Sequence, residues 1–402
     1  MPTESQIPTA SHRTARQFAG GVAIFYGMQF GLLGTHLPFF TVWLRAIGID
    51  AAWIGIIIAV PAVTRFTILP FITALAERRQ ALRGALVLTT FATALGFALV
   101  GVQRAPLLVF LAYVATCATW TPMAPLTDAY ALRGVVRYGL DYGRLRLAGS
   151  AAFVVGALAC GWLVDVMPPD RLIWVIAGVA ALCAAASLVL RRLDGPPAGK
   201  VGPHRQSTTL LRDPGFLSII VAAALIQGSH AAYYTFASIT WQAQGLNGLT
   251  IAGLWVLGVL AEIVVFALST RLPLRPATMM LIGAIAAVMR WLVTAQEPQV
   301  AVLALVQLAH GLTFGLTLVG TMGLLVRHVP AHVMARGQGY FAACGGIVSS
   351  SASILSGAVY ARYGQGVYDM MAVMAGSGGL LIWLARHRLL HSAHPQSPGS
   401  GG

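Results

Sequence analysis

The chain has 402 residues, of which 57% are apolar and only 9% are charged, and its mean hydropathy is +0.76. A soluble domain is nearer 45–50% apolar with about 25% charged residues, so this composition excludes a globule that faces water on all sides. The formal net charge of +14 would suggest a nucleic-acid partner in a soluble protein, but a basic cytoplasmic face explains it equally well in a membrane protein.

Apolar stretches long enough to cross a bilayer follow one another along the chain, separated by short polar or Pro/Gly-containing turns. They predict an all-α polytopic membrane protein with twelve transmembrane helices, at residues 18–44, 51–74, 84–103, 106–131, 144–166, 171–190, 215–243, 250–270, 277–296, 299–326, 333–361 and 367–385. The first stretch is too long for a signal-peptide core and lacks a small-x-small cleavage site, so we expect it to be retained as the first span.

The basic residues predict the orientation of these spans. If both termini are cytoplasmic, 20 of the 26 Lys and Arg residues fall in inner segments, and only four fall in outer loops: Arg45, Arg104, Arg171 and Arg362. This bias follows the positive-inside rule. It predicts a multi-pass protein of a bacterial-type inner (plasma) membrane with both termini in the cytoplasm, and it removes the reason to expect a nucleic-acid partner.

The chain divides near its middle. The longest hydrophilic stretch contains two Pro/Gly motifs and separates six spans from six. We therefore predict a cytoplasmic tail (1–17), an N-terminal six-helix bundle (18–190), a cytoplasmic linker (191–214), a C-terminal six-helix bundle (215–389) and a disordered C-terminal tail (390–402). A shift of 197 positions pairs Gly31 with Gly228, Phe39 with Phe236 and Arg65 with Glu262. This weak similarity favours two pseudo-symmetric repeats, an arrangement of many secondary transporters.

Several short motifs resemble those of the major facilitator superfamily, and within it the proton-linked phenylpropionate permease group, which is similar to the oligosaccharide:proton symporters. The most specific are Leu37–Phe40, Pro125–Ala129, Leu140–Arg146, Gln227–Tyr234 and Leu257–Glu262. The loop after span 2 departs from the superfamily pattern Gly-x-x-x-Asp, because the glycine is absent and Glu77, followed by Arg78, replaces the acid. The resemblance implies that these two residues latch helix ends.

The resemblance also implies an activity. It points to a secondary active transporter, not an enzyme, that takes up a small aromatic carboxylate such as 3-phenylpropionate together with a proton, by alternating access and as a monomer, with no cofactor. Sugar or nucleoside symport, or drug efflux on the same fold, stays open as an alternative. An enzyme or a nucleotide-driven pump is disfavoured because HExxH, GxSxG and P-loop motifs are missing.

Ionisable residues within the spans are rare, and such residues are expensive in lipid and commonly functional. Glu262, Arg290 and His310 lie in consecutive spans, and Glu262 and His310 are at similar depth. The related symporters use these residue types for proton coupling, which the resemblance implies here. Desolvation favours a neutral carboxyl group and a nearby arginine favours the ionised form, so a changing partner would let Glu262 take up and release a proton. The alternative is a static Glu262–Arg290 ion pair.

Other polar and aromatic residues are candidates for substrate binding or for gating. His230 lies in a polar stretch with Gln227, Tyr233 and Tyr234, which is typical of a cavity wall, and the alternative is that His230 only makes hydrogen bonds within the packed helices. Arg65, at mid-depth in span 2, either receives a substrate carboxylate or snorkels toward the cytoplasm. Because the loop between spans 4 and 5 is short, Asp128 is predicted to pair with Arg144 or Arg146. The remaining candidates for the cavity wall are Tyr26, His36 and Trp120. No metal site is predicted.

Overall fold

The computed structural model describes residues 12–79, 81–191, 210–330 and 333–391. Most residues in these ranges are helical, because a backbone in lipid must satisfy its hydrogen bonds within the segment. The helices are α1 (His12–Ala46), α2 (Ala51–Thr67), α3 (Leu69–Arg78), α4 (Leu82–Val102), α5 (Pro106–Trp120), α6 (Met123–Tyr138), α7 (Tyr142–Val166), α8 (Leu172–Ser187), α9 (Pro214–Gly228), α10 (Ala231–Ala243), α11 (Gly248–Leu268), α12 (Pro276–Ala295), α13 (Val300–Leu308), α14 (Thr317–His328), α15 (Met334–Tyr363) and α16 (Val367–His391).

Four predicted spans are interrupted in the structure, although the sequence analysis treats each of them as continuous. The bend between α2 and α3 is 44°. Pro122, which has no backbone N–H to donate, lies between α5 and α6. Ser229 and His230 separate α9 from α10, and a π-helix at Gly311–Leu316 joins α13 to α14. π-turns inside helices are frequent at functional sites.

The number of crossings agrees with the prediction. Within the described residues, ten helices are long and apolar enough to span a bilayer, and the bent pair α2–α3 makes an eleventh. The longest of these, Arg336–Arg386, contains both α15 and α16. Gly228 of α9 lies against both Val348 of α15 and Met374 of α16. One straight helix could not bring both residues to the same point of α9, so the chain reverses between α15 and α16 and the two helices cross the bilayer separately. The described residues thus hold twelve crossings, and the all-α polytopic fold is confirmed.

Two compact units divide the chain. Unit 1 comprises Met1–Phe40 and Thr67–Lys200, and unit 2 comprises Thr41–Phe66 and Val201–Gly402. Residues 192–209, which cover most of the predicted linker, lie outside the described residues, as do 1–11 and 392–402 of the predicted tails. The bundle boundaries proposed from the sequence stay a prediction.

Each unit has its own apolar core. In unit 1, α4 packs against α5 and α8, and Phe18, Phe25, Leu86 and Tyr130 lie in the core. In unit 2, α9 packs against α14, α15 and α16. Its core contains Phe216, Ile219, Met280 and Ile382.

The outer surfaces of both units are apolar. Leu95 is 73% exposed and Val136 87% in unit 1, and Val373 is 70% exposed in unit 2. Large aliphatic side chains exposed along helix after helix would be costly in water. In a chain of this composition they form the surface that contacts lipid tails.

Candidate functional site

A buried polar cluster in unit 2 is built around Arg290 of α12, which is 2% exposed. Its Nη1 donates to Nδ1 of His310 at 2.9 Å and to Oγ1 of Thr313 at 3.1 Å. Its Nη2 donates to Oε1 of Gln307 at 2.9 Å. All three partners belong to the α13–π-helix–α14 span, where they lie about one turn apart. The fork of the guanidinium therefore ties α12 to the irregular part of that span.

The hydrogen bond from Arg290 decides the protonation of His310. A guanidinium only donates, so Nδ1 of His310 must accept and the ring proton of the neutral side chain lies on Nε2. Nε2 of His310 is 3.8 Å from Oε2 of Glu262 in α11, which is beyond hydrogen-bonding distance. The Glu262 side chain is 24% exposed, whereas that of His310 is 7% exposed. The carboxyl group is the more accessible member of the pair.

Aromatic rings enclose the guanidinium. The Cζ atom of Arg290 lies 4.7 Å from the ring centre of Tyr233 and 4.6 Å from that of Trp291, distances at which cation–π attraction operates. Within the described residues Arg290 has no carboxylate within ion-pair distance, and its Nε atom has no hydrogen-bond partner. A static Glu262–Arg290 ion pair, the alternative raised by the sequence, is therefore not formed in this structure.

His230 joins the same cluster through Thr313. Its Nδ1 is 3.1 Å from the backbone oxygen of Gln227, and because a carbonyl only accepts, Nδ1 carries a proton. Its Nε2 lies 3.0 Å from Oγ1 of Thr313. Since this hydroxyl already accepts from Arg290, a neutral His230 accepts the hydroxyl proton of Thr313. In both contacts of Thr313, with Arg290 and with His230, a donor then faces an acceptor.

Tyr233, Tyr234 and Gln227 surround this chain. The ring centre of Tyr234 lies 6.0 Å from that of Trp255, and Tyr233 is 4.6 Å from the same indole ring. Gln227 donates its Nε2 to the backbone oxygen of Phe314 at 3.2 Å, which fixes the amide so that Oε1 must accept. This buried Oε1 has no hydrogen-bond partner in the described part of the chain.

Arg65 is exposed in the last turn of α2 and makes no hydrogen bond or ion pair with a described residue. Its guanidinium interacts electrostatically with Tyr234, one of the residues that surround the Arg290 cluster. Arg65 therefore stays a candidate for substrate binding within a span.

In unit 1 the described hydrogen-bond partners of Asp128 are two tyrosine hydroxyl groups, and its ion pair with Arg144 or Arg146 stays a prediction. Its Oδ1 accepts hydrogen bonds from the hydroxyl groups of Tyr26 at 2.6 Å and Tyr142 at 2.9 Å. The guanidinium of Arg146 lies over the ring of Phe30 at 4.4 Å and over that of Tyr26 at 5.7 Å. The side chains of Arg144 and Glu77 lie outside the described residues, and Arg78 is exposed.

A second group in unit 1 consists of His36 and aromatic rings. Nε2 of His36 is 3.1 Å from the Tyr113 hydroxyl, and its ring stacks on Phe40 at 4.5 Å and meets Trp120 edge-on at 4.5 Å. His36 is 5% exposed, and its Nδ1 has no hydrogen-bond partner among the described residues. His36 and Trp120, predicted separately, are therefore neighbours in one aromatic cluster.

The residues that connect the candidates are not among those predicted from the sequence. Gln307 and Thr313 lie three positions before and after His310, and residues three apart share a helix face. That spacing was the available signal. Tyr142 and Tyr113 carried no such signal, because their partners lie 14 and 77 residues away along the chain.

Comparison with known proteins gives a consistent result. Residues 21–369 match the model of the MFS_1 like family. The chain is 33% identical over 368 residues to an Escherichia coli (strain K12) protein named "Probable 3-phenylpropionic acid transporter", covering 88% of this chain and 94% of that protein. It is 27% identical to the "Maltose permease" of Geobacillus stearothermophilus, covering 91% and 94%.

Solved structures show the same fold. The nucleoside transporter NupG aligns with a TM-score of 0.75 at 16% identity, over 93% of this chain and 99% of that one. A bacterial homologue of the human lysosomal transporter Spinster, in an inward-facing and occupied conformation, aligns with a TM-score of 0.69 at 13% identity, over 96% and 99%.

Proposed function

The chain belongs to the MFS_1-like family and is a secondary transporter of the major facilitator type; from this premise we propose that it takes up a small aromatic carboxylate, such as 3-phenylpropionate, together with a proton. The proposal depends on Arg290, a buried guanidinium that lies between two aromatic rings and has no carboxylate partner among the described residues.

The unsatisfied Nε of Arg290 supports an anionic substrate. A buried donor without a partner costs ~1–3 kcal/mol, and a substrate carboxylate would remove that cost through a charge-assisted hydrogen bond. Tyr233 and Trp291, which flank the guanidinium, would pack against the substrate ring. His230, Tyr234 and Gln227 complete the proposed wall in unit 2. Arg65, and Tyr26, His36 and Trp120 of unit 1, stay proposed contacts of the substrate.

Glu262 supports the coupling to protons. The carboxyl group is partly exposed and has no ion-pair partner closer than His310 at 3.8 Å, so nothing holds it permanently ionised. Because His310 is fixed by Arg290, a substrate that draws Arg290 toward itself would also change the contact between His310 and Glu262. We infer that substrate binding and protonation of Glu262 are linked through this chain of contacts.

A polyhydroxy solute, such as a sugar or a nucleoside, is the second candidate. Oε1 of Gln227 and Oγ1 of Thr317 are buried without partners in the described chain. Oε1 needs a donor, which a substrate hydroxyl has and a carboxylate lacks. The similarity to a maltose permease makes this class the first alternative to test.

The experiment uses purified protein in liposomes with an inwardly directed proton gradient and labelled 3-phenylpropionate. Because the neutral acid crosses lipid by itself, protein-free liposomes define the background. We expect accumulation above that background in the wild type and loss of it on collapse of the gradient. Glu262→Gln should lose the accumulation but keep the exchange of labelled for unlabelled substrate, which needs no net proton movement.

Glu297→Gln is the matched control, because Glu297 is an exposed carboxyl group at the end of α12 and should behave as wild type. Accumulation that persists in Glu262→Gln, or wild-type uptake that ignores the gradient, contradicts the proposed coupling. Exchange of maltose or uridine but not of 3-phenylpropionate would replace the first candidate with the second.

A further inference from the structure

A cavity of about 230 Å³ in unit 2 lies away from the Arg290 cluster. Its walls come from the end of α1, the start of α2, the second half of α10 and the end of α15. In the orientation predicted by the basic residues, all four segments are at the outer face of the membrane. An apolar cavity of about 150 Å³ holds a benzene ring, so this one accommodates a ring with a short side chain.

One wall is flat and aromatic. The rings of Phe236 and Tyr360 stack with centroids 4.1 Å apart and an interplanar angle of 4°. The Tyr360 hydroxyl is hydrogen-bonded to Oγ1 of Thr240 at 3.0 Å, and Phe236 is fully buried. Both rings are therefore held in place by the surrounding protein. Ile54 and Ile239, which are both buried, support this wall. Such a wall suits a planar hydrophobic ring.

The polar side of the cavity is cationic. Arg45, an exposed residue, is the charged residue among those that line the cavity, and no carboxylate lines it. Gln242 lies on the same cavity and adds an amide. Neither side chain makes a hydrogen bond or an ion pair with a described residue, so both are available to a ligand. Arginine and an amide above an apolar wall match a carboxylate attached to a ring.

We propose that this cavity is an outer binding site for the aromatic carboxylate substrate, in which Arg45 holds the carboxylate and the ring of Tyr360, supported from behind by Phe236, packs against the substrate ring. The site is distinct from the Arg290 cluster and would bind substrate before it reaches that cluster. This inference rests on the proposed substrate class, but it makes a prediction of its own about binding from outside.

The test is protection of a cysteine from a membrane-impermeant thiol reagent added outside right-side-out vesicles. Ala243 is exposed and lines the cavity, so Ala243→Cys, made with Cys344→Ser, places the thiol at the site. We expect external 3-phenylpropionate to slow the labelling. Ala301→Cys, an exposed position at the start of α13, is the control whose labelling should be unaffected.

Arg45 variants test how the ligand is held. Loss of a charge-assisted hydrogen bond should raise the half-protecting concentration about tenfold in Arg45→Gln, whereas Arg45→Lys should change it much less. The uncharged analogue 3-phenylpropanamide should protect poorly. Equal protection in Arg45→Gln, equal protection by the amide, or protection of Ala301→Cys would overturn the proposal.

Two further results separate this site from the Arg290 cluster and from the proposed function. Protection of Ala243→Cys should persist when Arg290→Gln is added. Loss of protection in that variant would mean that 3-phenylpropionate binds at the Arg290 cluster and slows the labelling indirectly, which would overturn the outer site. If 3-phenylpropionate is transported but gives no protection, the outer site is wrong and the proposed function stands. If protection depends on Arg45 but no transport is seen, the site stands and the proposed function fails.

Discussion

At the scale of single residues, one hydroxyl group joins the two halves of the cluster in unit 2. Oγ1 of Thr313 lies 3.1 Å from Nη1 of Arg290 and 3.0 Å from Nε2 of His230. It accepts from the first and donates to the second. Nε2 of His230 has no other described hydrogen-bond partner, so the Thr313 hydroxyl is what satisfies this buried imidazole nitrogen.

Thr313→Val, which is close to isosteric, should therefore destabilise the protein by ~1–3 kcal/mol, because Nε2 of His230 loses its only described donor. Thr313→Ser keeps the hydroxyl and should stay near wild type. The measurement is thermal unfolding of the purified variants in detergent. A Thr313→Val variant as stable as the Ser variant would show that the hydroxyl does not connect the two residues.

The residues that carry charge within spans could be found from the sequence, but their partners could not. Glu262, Arg290 and His310 stand out because ionisable groups are costly in lipid. Whether they contact one another depends on the rotation and tilt of three helices. The structure joins Arg290 to His310 and leaves Glu262 at 3.8 Å from His310, a distinction that sequence spacing does not contain.

At the scale of helices, α2 and α15 approach each other so closely that only a hydrogen fits at their contact. A Cβ atom at Gly357 of α15 would lie 2.7 Å from the backbone oxygen of Ala51 and 3.1 Å from that of Ala52. Small residues allow this approach of membrane helices. Gly253 of α11 is the opposite case, because a Cβ there meets no atom within 4 Å.

Gly357→Ala should lower the unfolding temperature, since the added methyl group has to push the two backbones apart. Gly253→Ala should raise it, because alanine is preferred over glycine in a helix by ~1 kcal/mol and nothing obstructs it. Both variants are compared with wild type by thermal unfolding in the same detergent. If Gly357→Ala raises the temperature as Gly253→Ala is expected to do, the close contact of α2 with α15 is absent in solution.

The interruptions within spans show the limit of periodicity at this scale. Hydropathy indicates where a span lies, because a continuous apolar stretch of the right length is stable in lipid. It does not report which turn is irregular. The π-helix at Gly311–Leu316 contains Thr313 and packs against α11 and α12, and the break at Ser229–His230 contains His230.

At the scale of the whole molecule, the surplus of positive charge and the apolar surface have one explanation. Side chains such as Leu95 and Val136 cover the outside, so the lipid-facing surface leaves few places for charge. The basic residues therefore collect at helix ends, and their bias to one side predicts the orientation. The twelve crossings and the bias of the basic residues both arise because lipid favours long apolar stretches and excludes charge. The fold is therefore more predictable from the sequence than the site.

The predicted orientation can be tested with single cysteines on opposite faces. Ser207→Cys lies in the predicted cytoplasmic linker and Gln103→Cys at the predicted outer end of the third span. We expect an impermeant thiol reagent to label Gln103→Cys in right-side-out vesicles and Ser207→Cys in inside-out vesicles, and not the reverse. The wild type, whose cysteines are three buried residues and the half-buried Cys344, sets the background. The reverse pattern would invert the molecule and move the cavity at Arg45 to the cytoplasmic face, where it would meet substrate leaving the cell instead of substrate entering it.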